Sequence, residues 1–445
     1  MKNIIIPVYN NTEHISDCLN SCFQTADTVV WLGIDGCKET LKYVLSIKSK
    51  YRNLRVFYFP ENKGTYITLN TLIAKIPPNK KFMIFGSDDY MLQGMVSNMF
   101  KGATHGQAVY SRYTGIVCMY KSDYDKLGSF RAWRISADTE FSTRAKRIIK
   151  YKNIGMMFHN RQHEEQITKS YAWGFGSEAR RIYGKFIVDE TPLLPVYVTP
   201  VLHERELEVT RITANMATFP PRADVLRKSL RSLQKIPYFD KIRIYLNEYN
   251  ERPRFISARV EVQRGDNLKD SGKLYWASEE RNEIYFTVDD DLHYTDTYVM
   301  NHILKLAEHP EAVVTIHGRK LKPYAEKFTE AEIMQHWKNS SDVDVVIHLP
   351  GTGVSCFSLI HNQFNLPKYH GMTDVHVGVE CRKRGTVVLC RARSGDELKY
   401  LLSVDEKQTL WNERSRMERQ CRELLQSVDW NDKELHCCNC INCKN

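Results

Sequence analysis

Two clusters of adjacent aspartates contain the residue types most able to hold a cation. Asp88-Asp89 and Asp289-Asp290-Asp291 each follow a short apolar run that is typical of a buried strand. Adjacent carboxylates in that position are costly unless they face a cation or a polar ligand. Carboxylate oxygens beside a pyrophosphate form the partial shell that Mg²⁺ or Mn²⁺ accepts. One isolated pair would favour a simple turn, whereas two clusters at matching positions favour metal binding.

The elements that must position these acids occur twice along the chain. Each half begins with an apolar strand and an amphipathic helix, continues with two more strands, and then reaches the strand that ends in aspartates. The predicted strands are 3–9, 28–35, 54–58 and 81–89 in the first half and 211–216, 241–247, 259–262 and 283–291 in the second. Strands that alternate with helices imply a mostly parallel sheet covered on both faces. We therefore predict an α/β chain with two tandem copies of one fold and ligands at the carboxyl ends of the strands.

The same pattern predicts the organisation of the chain. We expect a first domain at 1–190, a proline-containing linker at 191–207, a second domain at 208–400 and a helical C-terminal tail at 401–445. Four of the 12 cysteines crowd the last nine residues of that tail: Cys437, Cys438, Cys440 and Cys443. Thiolates at such spacing can bind one zinc ion, but structural zinc sites usually draw on two separated pairs, so free thiols are favoured.

Composition and charge limit the class of protein. Hydrophobic residues make up 42% of the chain and aromatic residues 11%, which excludes disorder throughout. No apolar run approaches the roughly 20 residues needed to cross a bilayer, so we expect a soluble, cytoplasmic protein. The net charge is +10, and residues 1–200 hold 27 basic against 17 acidic side chains. A basic first half favours a polyanionic partner, with an ordinary solvated face as the equal alternative.

Several motifs of the first half carry a family resemblance. They are Ile5-Ile6-Pro7-Val8-Tyr9-Asn10, Asp35, Asn62-Lys63-Gly64, Gly86-Ser87-Asp88-Asp89, Ala137-Asp138 with Arg144, and Arg161-Gln162-His163. With them the first half resembles the inverting family-two glycosyltransferases, which have the GT-A fold. The resemblance implies donor binding by Pro7, Tyr9, Asp35 and Lys63, metal binding by Asp88 and Asp89, and a catalytic base at Asp138. Gly86 and Ala137 replace acids of the family pattern.

The second half carries its own set of motifs. They include Thr218-Phe219-Pro220-Pro221-Arg222, Tyr245-Leu246-Asn247, Asp270-Ser271-Gly272-Lys273, the aspartate triplet, His317-Gly318, Gly351-Thr352-Gly353 and the segment 372–378. This half resembles a related bacterial and phage glycosyltransferase group with the same GT-A fold. The resemblance implies donor binding by Thr218, Arg222, Asn247 and Lys273 and metal binding by Asp289 and Asp291. Asp374 is the candidate base by its parallel with Asp138. His317 is a candidate phosphate or metal contact, with an ordinary hydrogen-bonded histidine as the equal alternative.

Together the resemblances imply a nucleotide-sugar-dependent glycosyltransferase, inverting and dependent on Mn²⁺ or Mg²⁺, with a UDP-sugar as the favoured donor. Two active sites would allow two sugars to be added. The acceptor remains open between hydroxymethylated pyrimidine DNA and a polysaccharide or glycolipid. In a different interpretation one domain is catalytic and the other is a degenerate acceptor-binding module, with the first half as the candidate for that role. A nucleotidyltransferase is disfavoured because the loop after the first strand is not a glycine-rich phosphate loop.

Overall fold

The computed structural model describes residues 1–161, 169–323, 325, 327–328, 331–336, 340–393, 395–401 and 414–431. The chain divides into two units, Met1–Glu208 and Val209–Asn445, and each unit has its own eight-stranded sheet. Both sheets are mixed and mostly parallel with helices on their faces, which confirms the predicted fold class. Cys437, Cys438, Cys440 and Cys443, together with Gln162 and His163, lie outside the described residues.

The first unit has strands β1 Lys2–Val8, β2 Thr28–Asp35, β3 Leu54–Phe59, β4 Lys81–Ile84, β5 Tyr90–Met91, β6 Gln107–Ser111, β7 Tyr113–Tyr120, β8 Lys150–Asn153, β9 Phe158–His159 and β10 Leu207–Glu208. Its helices are α1 Ile15–Cys22, α2 Lys38–Ile47, α3 Thr65–Ala74, α4 Met95–Gly102, α5 Lys121–Leu127, α6 Ala137–Ala145 and α7 Glu178–Asp189. The sheet order is β10-β3-β2-β1-β4-β7-β6-β8. Strands β1 to β4 run parallel, and β7 runs antiparallel to β4.

The central strands form where β-branched and apolar residues run without interruption. Ile4, Ile5 and Ile6 of β1 are fully buried, as expected for a parallel strand covered on both faces. Trp31 and Phe57 stack beside each other in the same core with ring centroids 5.6 Å apart. Because β1, β2 and β4 are parallel, their carboxyl ends meet at one edge of the sheet, where the candidate residues follow.

The segment 191–207, predicted as a linker, packs on the first unit. β10 at its end pairs antiparallel with β3. Glu208 accepts hydrogen bonds from the Arg55 guanidinium at 2.7 and 2.9 Å. The His203 ring stacks on Phe59 with centroids 4.0 Å apart. These contacts make the segment a structural part of the first unit.

The second unit has strands β11 Ile212–Thr218, β12 Lys241–Asn247, β13 Glu261–Gly265, β14 Ile284–Val288, β15 Leu292–Tyr294, β16 Val313–Thr315, β17 Gly318–Lys320, β18 Glu332–Gln335, β19 Val345–Ile347, β20 Leu349–Pro350, β21 Val354–Ser358, β22 Val388–Cys390 and β23 Leu398–Tyr400. Its helices are α8 Ala223–Lys235, α9 Asp296–Glu308, α10 Thr373–Arg384 and α11 Arg414–Leu425. The sheet order is β13-β12-β11-β14-β21-β16-β22-β19. The third strand, β13, begins two residues later than predicted.

The two sheets follow one plan. The strand that precedes the acids, β4 or β14, pairs parallel with the first strand and antiparallel with β7 or β21. In each unit the short strand that follows the acids pairs antiparallel with a short strand later in the chain. These pairs are β5 with β9 in the first unit and β15 with β23 in the second. Continuing the registers sets Gly115 opposite Gly86 and Gly353 opposite Asp289. The aligned β7 and β21 segments share a Thr-Gly-x-x-Cys sequence, at 114–118 and 352–356.

The two units differ in the length of the connection that leads into the strand with the Thr-Gly pair. In the first unit Arg112 alone separates β6 from β7, with a φ of 55°. In the second unit the residues between β16 and β21 include β17, β18 and β20, which form a three-stranded sheet of their own. The part of the C-terminal tail that the structure describes contains α11, which packs against α10 through a cluster with buried Cys421, Leu425 and Trp430. Among the described helices, none is both long and apolar enough to span a lipid bilayer.

Candidate functional site

The first acid of the triplet, Asp289, follows β14 at the carboxyl edge of the second sheet. Its Oδ1 accepts a short hydrogen bond from the ammonium group of Lys273. A Cβ added to Gly353 would lie 1.7 Å from its Oδ2, so only glycine permits this position of the carboxylate. The Tyr294 hydroxyl accepts a hydrogen bond from the Asp289 amide at 2.6 Å and donates to the Gly353 carbonyl at 2.7 Å. Asp289 is therefore fixed between Lys273 and the start of β21.

Asp290 and Asp291 share one guanidinium group. Nη2 of Arg222 lies 2.9 Å from Oδ1 of Asp290 and 2.5 Å from Oδ2 of Asp291. Oδ2 of Asp290 accepts a hydrogen bond from the Thr218 hydroxyl at 2.6 Å. Burial raises the pKa of Asp290 to about 7, against the opposing effect of Arg222. Burial and the neighbouring Asp289 raise the pKa of Asp291. The triplet thus concentrates negative charge and holds two cationic side chains beside it.

Asp374 is the second residue of α10 and belongs to the same cluster of charges. Its Oδ1 accepts two hydrogen bonds from Thr352, from the amide at 2.9 Å and from the hydroxyl at 2.5 Å. Burial alone would lower the pKa of Lys273, but Asp289, Asp270 and Asp374 together raise it. Because Thr352 precedes the glycine that packs on Asp289, one turn of backbone positions both carboxylates. The structure thus brings Asp289, Asp374 and Lys273 together, with Asp291 joined through the triplet.

Asn247 and Asp35 occupy equivalent positions, as the last residues of the second strands in the two sheets. The Asn247 side chain accepts a hydrogen bond from the Leu268 amide at 2.8 Å. Asp35 accepts hydrogen bonds from the amides of Lys63 and Gly64 at 2.9 and 2.8 Å. Burial raises the pKa of Asp35, while these two amides oppose that shift. Both side chains are buried, so each fixes the loop that leads to the next helical segment.

The remaining donor-binding candidates of the first unit lie around the same sheet edge. Pro7 lies within β1, paired with Gly33 of β2. Tyr9 follows β1 and is 57% exposed, so its ring is available to a ligand. The ammonium group of Lys63 lies 3.4 Å from a carboxylate oxygen of Glu204. Of these three, the exposed ring of Tyr9 offers the largest free surface.

The first unit has two adjacent acids where the second has three, and Asp89 is held by neighbouring groups. Oδ1 of Asp89 accepts a hydrogen bond from the Arg161 amide at 2.9 Å, and the Asn160 side chain donates to both of its oxygens at 3.2 and 3.3 Å. Burial and the adjacent Asp88 raise the pKa of Asp89 to about 6. Gly86 supplies no carboxylate, and a Cβ there would lie 3.2 Å from Oδ1 of Asp88. The first unit therefore offers a poorer set of metal ligands than the second.

Asp138 is the second residue of α6, as Asp374 is of α10. Its Oδ1 accepts a hydrogen bond from the Tyr66 hydroxyl at 2.6 Å. A Cβ on Gly115 would lie 3.1 Å from its Oδ2. Arg144, by contrast, is fully buried, pairs with Glu140 at 3.0 Å and donates to backbone carbonyls. The arginine of this motif therefore stabilises the fold around α6.

Two carboxylates of the second unit are the candidates for holding a divalent cation. No group of three histidine, cysteine or acidic side chains converges as a metal site in the part of the chain that the structure describes. Mg²⁺ usually takes only one or two carboxylates together with water and substrate phosphates. Asp289, seated against Gly353, and Asp291 supply two such carboxylates. His317 packs against Gly351, with its ring 5.0 Å from that of His336.

Several residues that contact the candidates were not identified from sequence, and Tyr66 and His203 are two of them. Tyr66 donates to Asp138, and His203 lies 3.4 Å from Oδ1 of Asp35. Burial and the nearby Lys63 lower the pKa of His203 to about 4, so it is neutral beside Asp35. Tyr66 lies two residues after Gly64 of the Asn62-Lys63-Gly64 motif, and this proximity is a signal that could have indicated it. His203 lies far from any motif in sequence and carries no such signal.

Comparison with known proteins identifies the type of the first unit. The model of glycosyl transferase family 2 matches residues 3–168. The first unit therefore contains a family 2 glycosyltransferase domain of the GT-A type, as the resemblance implied, and the protein is an enzyme of the glycosyltransferase class. A comparison with curated proteins found no match.

Several solved structures are similar at low identity. S. aureus TarS 1–349 has 15% identity, with 43% of this chain and 73% of that chain covered and a TM-score of 0.32. Its complex with UDP-GlcNAc has 16% identity, with 37% and 59% covered and a TM-score of 0.32. The mannosyltransferase PcManGT from Pyrobaculum calidifontis, in complex with GDP-Man and Mn²⁺, has 12% identity, with 43% and 71% covered and a TM-score of 0.33. At TM-scores this low the similarity carries no argument about the reaction.

Proposed function

We propose that the second unit transfers a sugar from a nucleotide-diphosphate sugar, with a UDP-sugar as the favoured donor, to an acceptor hydroxyl with inversion. The observation that carries this proposal is the Thr352-Gly353 turn. Gly353 packs on Asp289 while Thr352 donates two hydrogen bonds to Asp374. A candidate cation ligand and a candidate base are therefore held by adjacent residues.

The chemistry needs one base and one site for the leaving group. Asp374 takes the proton of the acceptor hydroxyl as its oxygen attacks the anomeric carbon of the sugar. The new C–O bond forms as the bond from the anomeric carbon to the diphosphate breaks, and the electron pair leaves with the diphosphate oxygen. A single displacement of this kind inverts the anomeric centre. Lys273 and Arg222 provide positive charge beside the diphosphate as it leaves.

Asp289 and Asp291 would hold Mn²⁺ or Mg²⁺ at this site. The ion would supply positive charge to the diphosphate oxygens. Asn247 fixes the loop at Leu268 just ahead of Asp270 and Lys273, and Thr218 orients Asp290. In this arrangement the donor residues of the second unit act by positioning the charged groups as well as by direct contact.

Replacing Asp374 tests the proposal. Asp374→Asn keeps the size of the side chain and removes its ability to accept a proton. We expect transfer by the second unit to fall by a factor of about 100 or more, the usual contribution of a general base, with donor affinity retained. The measurement is release of UDP from UDP-N-acetylglucosamine, or of GDP from GDP-mannose, in an Asp138→Asn background with Mn²⁺. Asp396→Asn, outside the motifs, is the matched control. Near-normal turnover by Asp374→Asn would contradict the assignment.

The first unit is the candidate for a binding role. Gly86 removes one acid of the metal motif, and both oxygens of Asp89 are engaged by Asn160 and Arg161. These contacts support a unit that binds donor or acceptor with weak catalysis of its own, although Asp138 is retained. Comparing Asp138→Asn with Asp374→Asn in the full chain separates the two roles. Equal losses of turnover would favour two catalytic sites over one.

The acceptor that the charge distribution favours is a polyanion, and we propose hydroxymethylated pyrimidine DNA as the acceptor to test first. The basic surplus lies entirely within residues 1–200, which contain 27 basic and 17 acidic side chains. Binding through phosphates weakens steeply as salt rises, because counterions are released. Affinity for such DNA should therefore fall by more than about tenfold between 50 and 200 mM salt. Unchanged affinity would favour a neutral glycan or glycolipid instead.

A further inference from the structure

The two candidate bases are held in the same way, although the residues that donate the hydrogen bonds differ in type. Asp138 and Asp374 are each the second residue of a helix, α6 and α10. In each case a hydroxyl group donates to Oδ1 of the carboxylate, from Tyr66 at 2.6 Å and from Thr352 at 2.5 Å. The tyrosine comes from α3 and the threonine from the turn before β21. Two different elements thus supply the same hydrogen bond to equivalent carboxylates.

The two hydrogen bonds from Thr352 determine the orientation of the Asp374 carboxylate. Thr352 donates to Oδ1 from both its amide and its hydroxyl, which fixes the rotation of the carboxyl group about its Cβ–Cγ bond. Oδ2 is then the oxygen left to meet an acceptor. Hydrogen bonds to an ionised carboxylate favour the charged form, which is the form that can take a proton.

We propose that Thr352 in the second unit and Tyr66 in the first are positioning residues that orient the catalytic base. This inference rests on the proposed function, because it assigns a role to residues that contact the base and not the substrate. The sequence motifs assign no role to either residue. Tyr66 lies outside every motif, and Thr352 is the middle residue of Gly351-Thr352-Gly353, to which no individual role is attached.

Other charged groups also act on Asp374 and must stay constant in a test. Lys273 and Asp270 lie within electrostatic range on one side, and Arg319 of β17 acts from another element. Thr352→Val removes the hydroxyl while it keeps the shape of the side chain and all three of these groups. Thr352→Ser keeps the hydroxyl and is the matched control.

The experiment compares the two variants in the full chain with Asp138→Asn, using UDP-N-acetylglucosamine or GDP-mannose with Mn²⁺. For Thr352→Val we expect kcat to fall about tenfold or more with KM for the donor unchanged. The acidic limb of the pH profile of kcat/KM should move to higher pH, because a hydrogen bond to the charged form is lost. Thr352→Ser should restore both. Identical profiles for the two variants would overturn the proposal.

A measurement without turnover keeps the proposal separate from the proposed function. Titration of the Asp374 carboxyl by ¹³C NMR, assigned by difference from Asp374→Asn, reports the base directly. A higher pKa in Thr352→Val than in Thr352→Ser supports the positioning role, and equal values overturn it. If Asp374→Asn remains active, the proposed function is wrong. If Asp374→Asn is inactive but Thr352→Val behaves like the wild type, only the positioning role is wrong. The same comparison with Tyr66→Phe tests the first unit.

Discussion

At the scale of single residues, Gly353 lies against the carboxylate of Asp289 more closely than any side chain would allow. The motif Gly351-Thr352-Gly353 could be recognised in the sequence, but the need for glycine could not. That need arises because the register between β14 and β21 sets this residue opposite the first acid of the triplet. The requirement is one of distance across the sheet, which the chain reveals only when folded.

Gly353→Ala should disrupt the site without unfolding the unit. The added Cβ would meet Asp289 at 1.7 Å and force its carboxylate away from Lys273. We expect a loss of turnover of at least about tenfold, which corresponds to about 1.4 kcal/mol in the transition state. Gly184→Ala, in α7 with open space at its Cβ, is the control and should leave activity unchanged. Full activity of Gly353→Ala would show that Asp289 can move freely.

The buried acids predict how stability depends on pH. The pKa of Asp290 is raised by burial to about 7, so the folded protein binds this proton more tightly than the unfolded chain does. Its contribution to stability is therefore present below pH 4 and is lost as pH rises to about 7, by up to about 4 kcal/mol. Between pH 5 and 8 the melting temperature should fall less steeply with rising pH for Asp290→Asn than for the wild type. Parallel curves would mean that Asp290 is ionised throughout.

At the scale of elements, the periodic strands could be predicted while the shortest ones could not. The apolar strands that end in Asp35 and Asn247 were expected and are present, as are those that lead to the acid clusters. The latter are shorter than predicted, because β4 ends at Ile84 and β14 at Val288, before the acids. The pairs β5–β9 and β15–β23 were missed because strands of two or three residues leave no periodic pattern. Nor did the sequence indicate that β17, β18 and β20 form a separate sheet.

The helix that carries Asp374 depends on the C-terminal segment for part of its packing. Trp430 is buried in the cluster shared by α10 and α11, and its indole nitrogen donates to the Leu425 carbonyl at 2.8 Å. Trp430→Ala should destabilise the second unit by about 3–5 kcal/mol, as is usual for a buried aromatic residue. Chemical denaturation measures this loss. Ser427→Ala, an exposed position, is the control, and equal stability of the two variants would mean that the tail is not part of the fold.

At the scale of the whole molecule, the tandem arrangement could be read from the repeated order of strands, but the end of the first unit could not. The proline-containing stretch 191–207 resembles a linker in composition, and the contacts of Arg55 with Glu208 and of His203 with Phe59 join distant parts of the sequence. Such contacts leave no local signal. Composition alone therefore indicated a linker where the structure has a packed segment.

Two fragments test this end of the unit. The fragment 1–208 keeps β10 paired with β3, whereas 1–190 removes that strand and exposes the surface beneath His203. We expect 1–208 to unfold cooperatively with a melting temperature at least about 2–4 °C above that of 1–190, the shift for each kcal/mol in a domain of this size. Circular dichroism during heating measures both. Equal melting temperatures would favour a domain that ends near residue 190.

The junction at Arg112 has a consequence for engineering the protein. One sheet joins its neighbouring strands through this single residue, and the other admits a whole additional three-stranded sheet at the same point. Because the surrounding strand order is the same in both, the scaffold tolerates large changes of chain length there. Grafting residues 316–351 in place of Arg112 would give a chimera whose folding, followed by circular dichroism during heating, tests this tolerance.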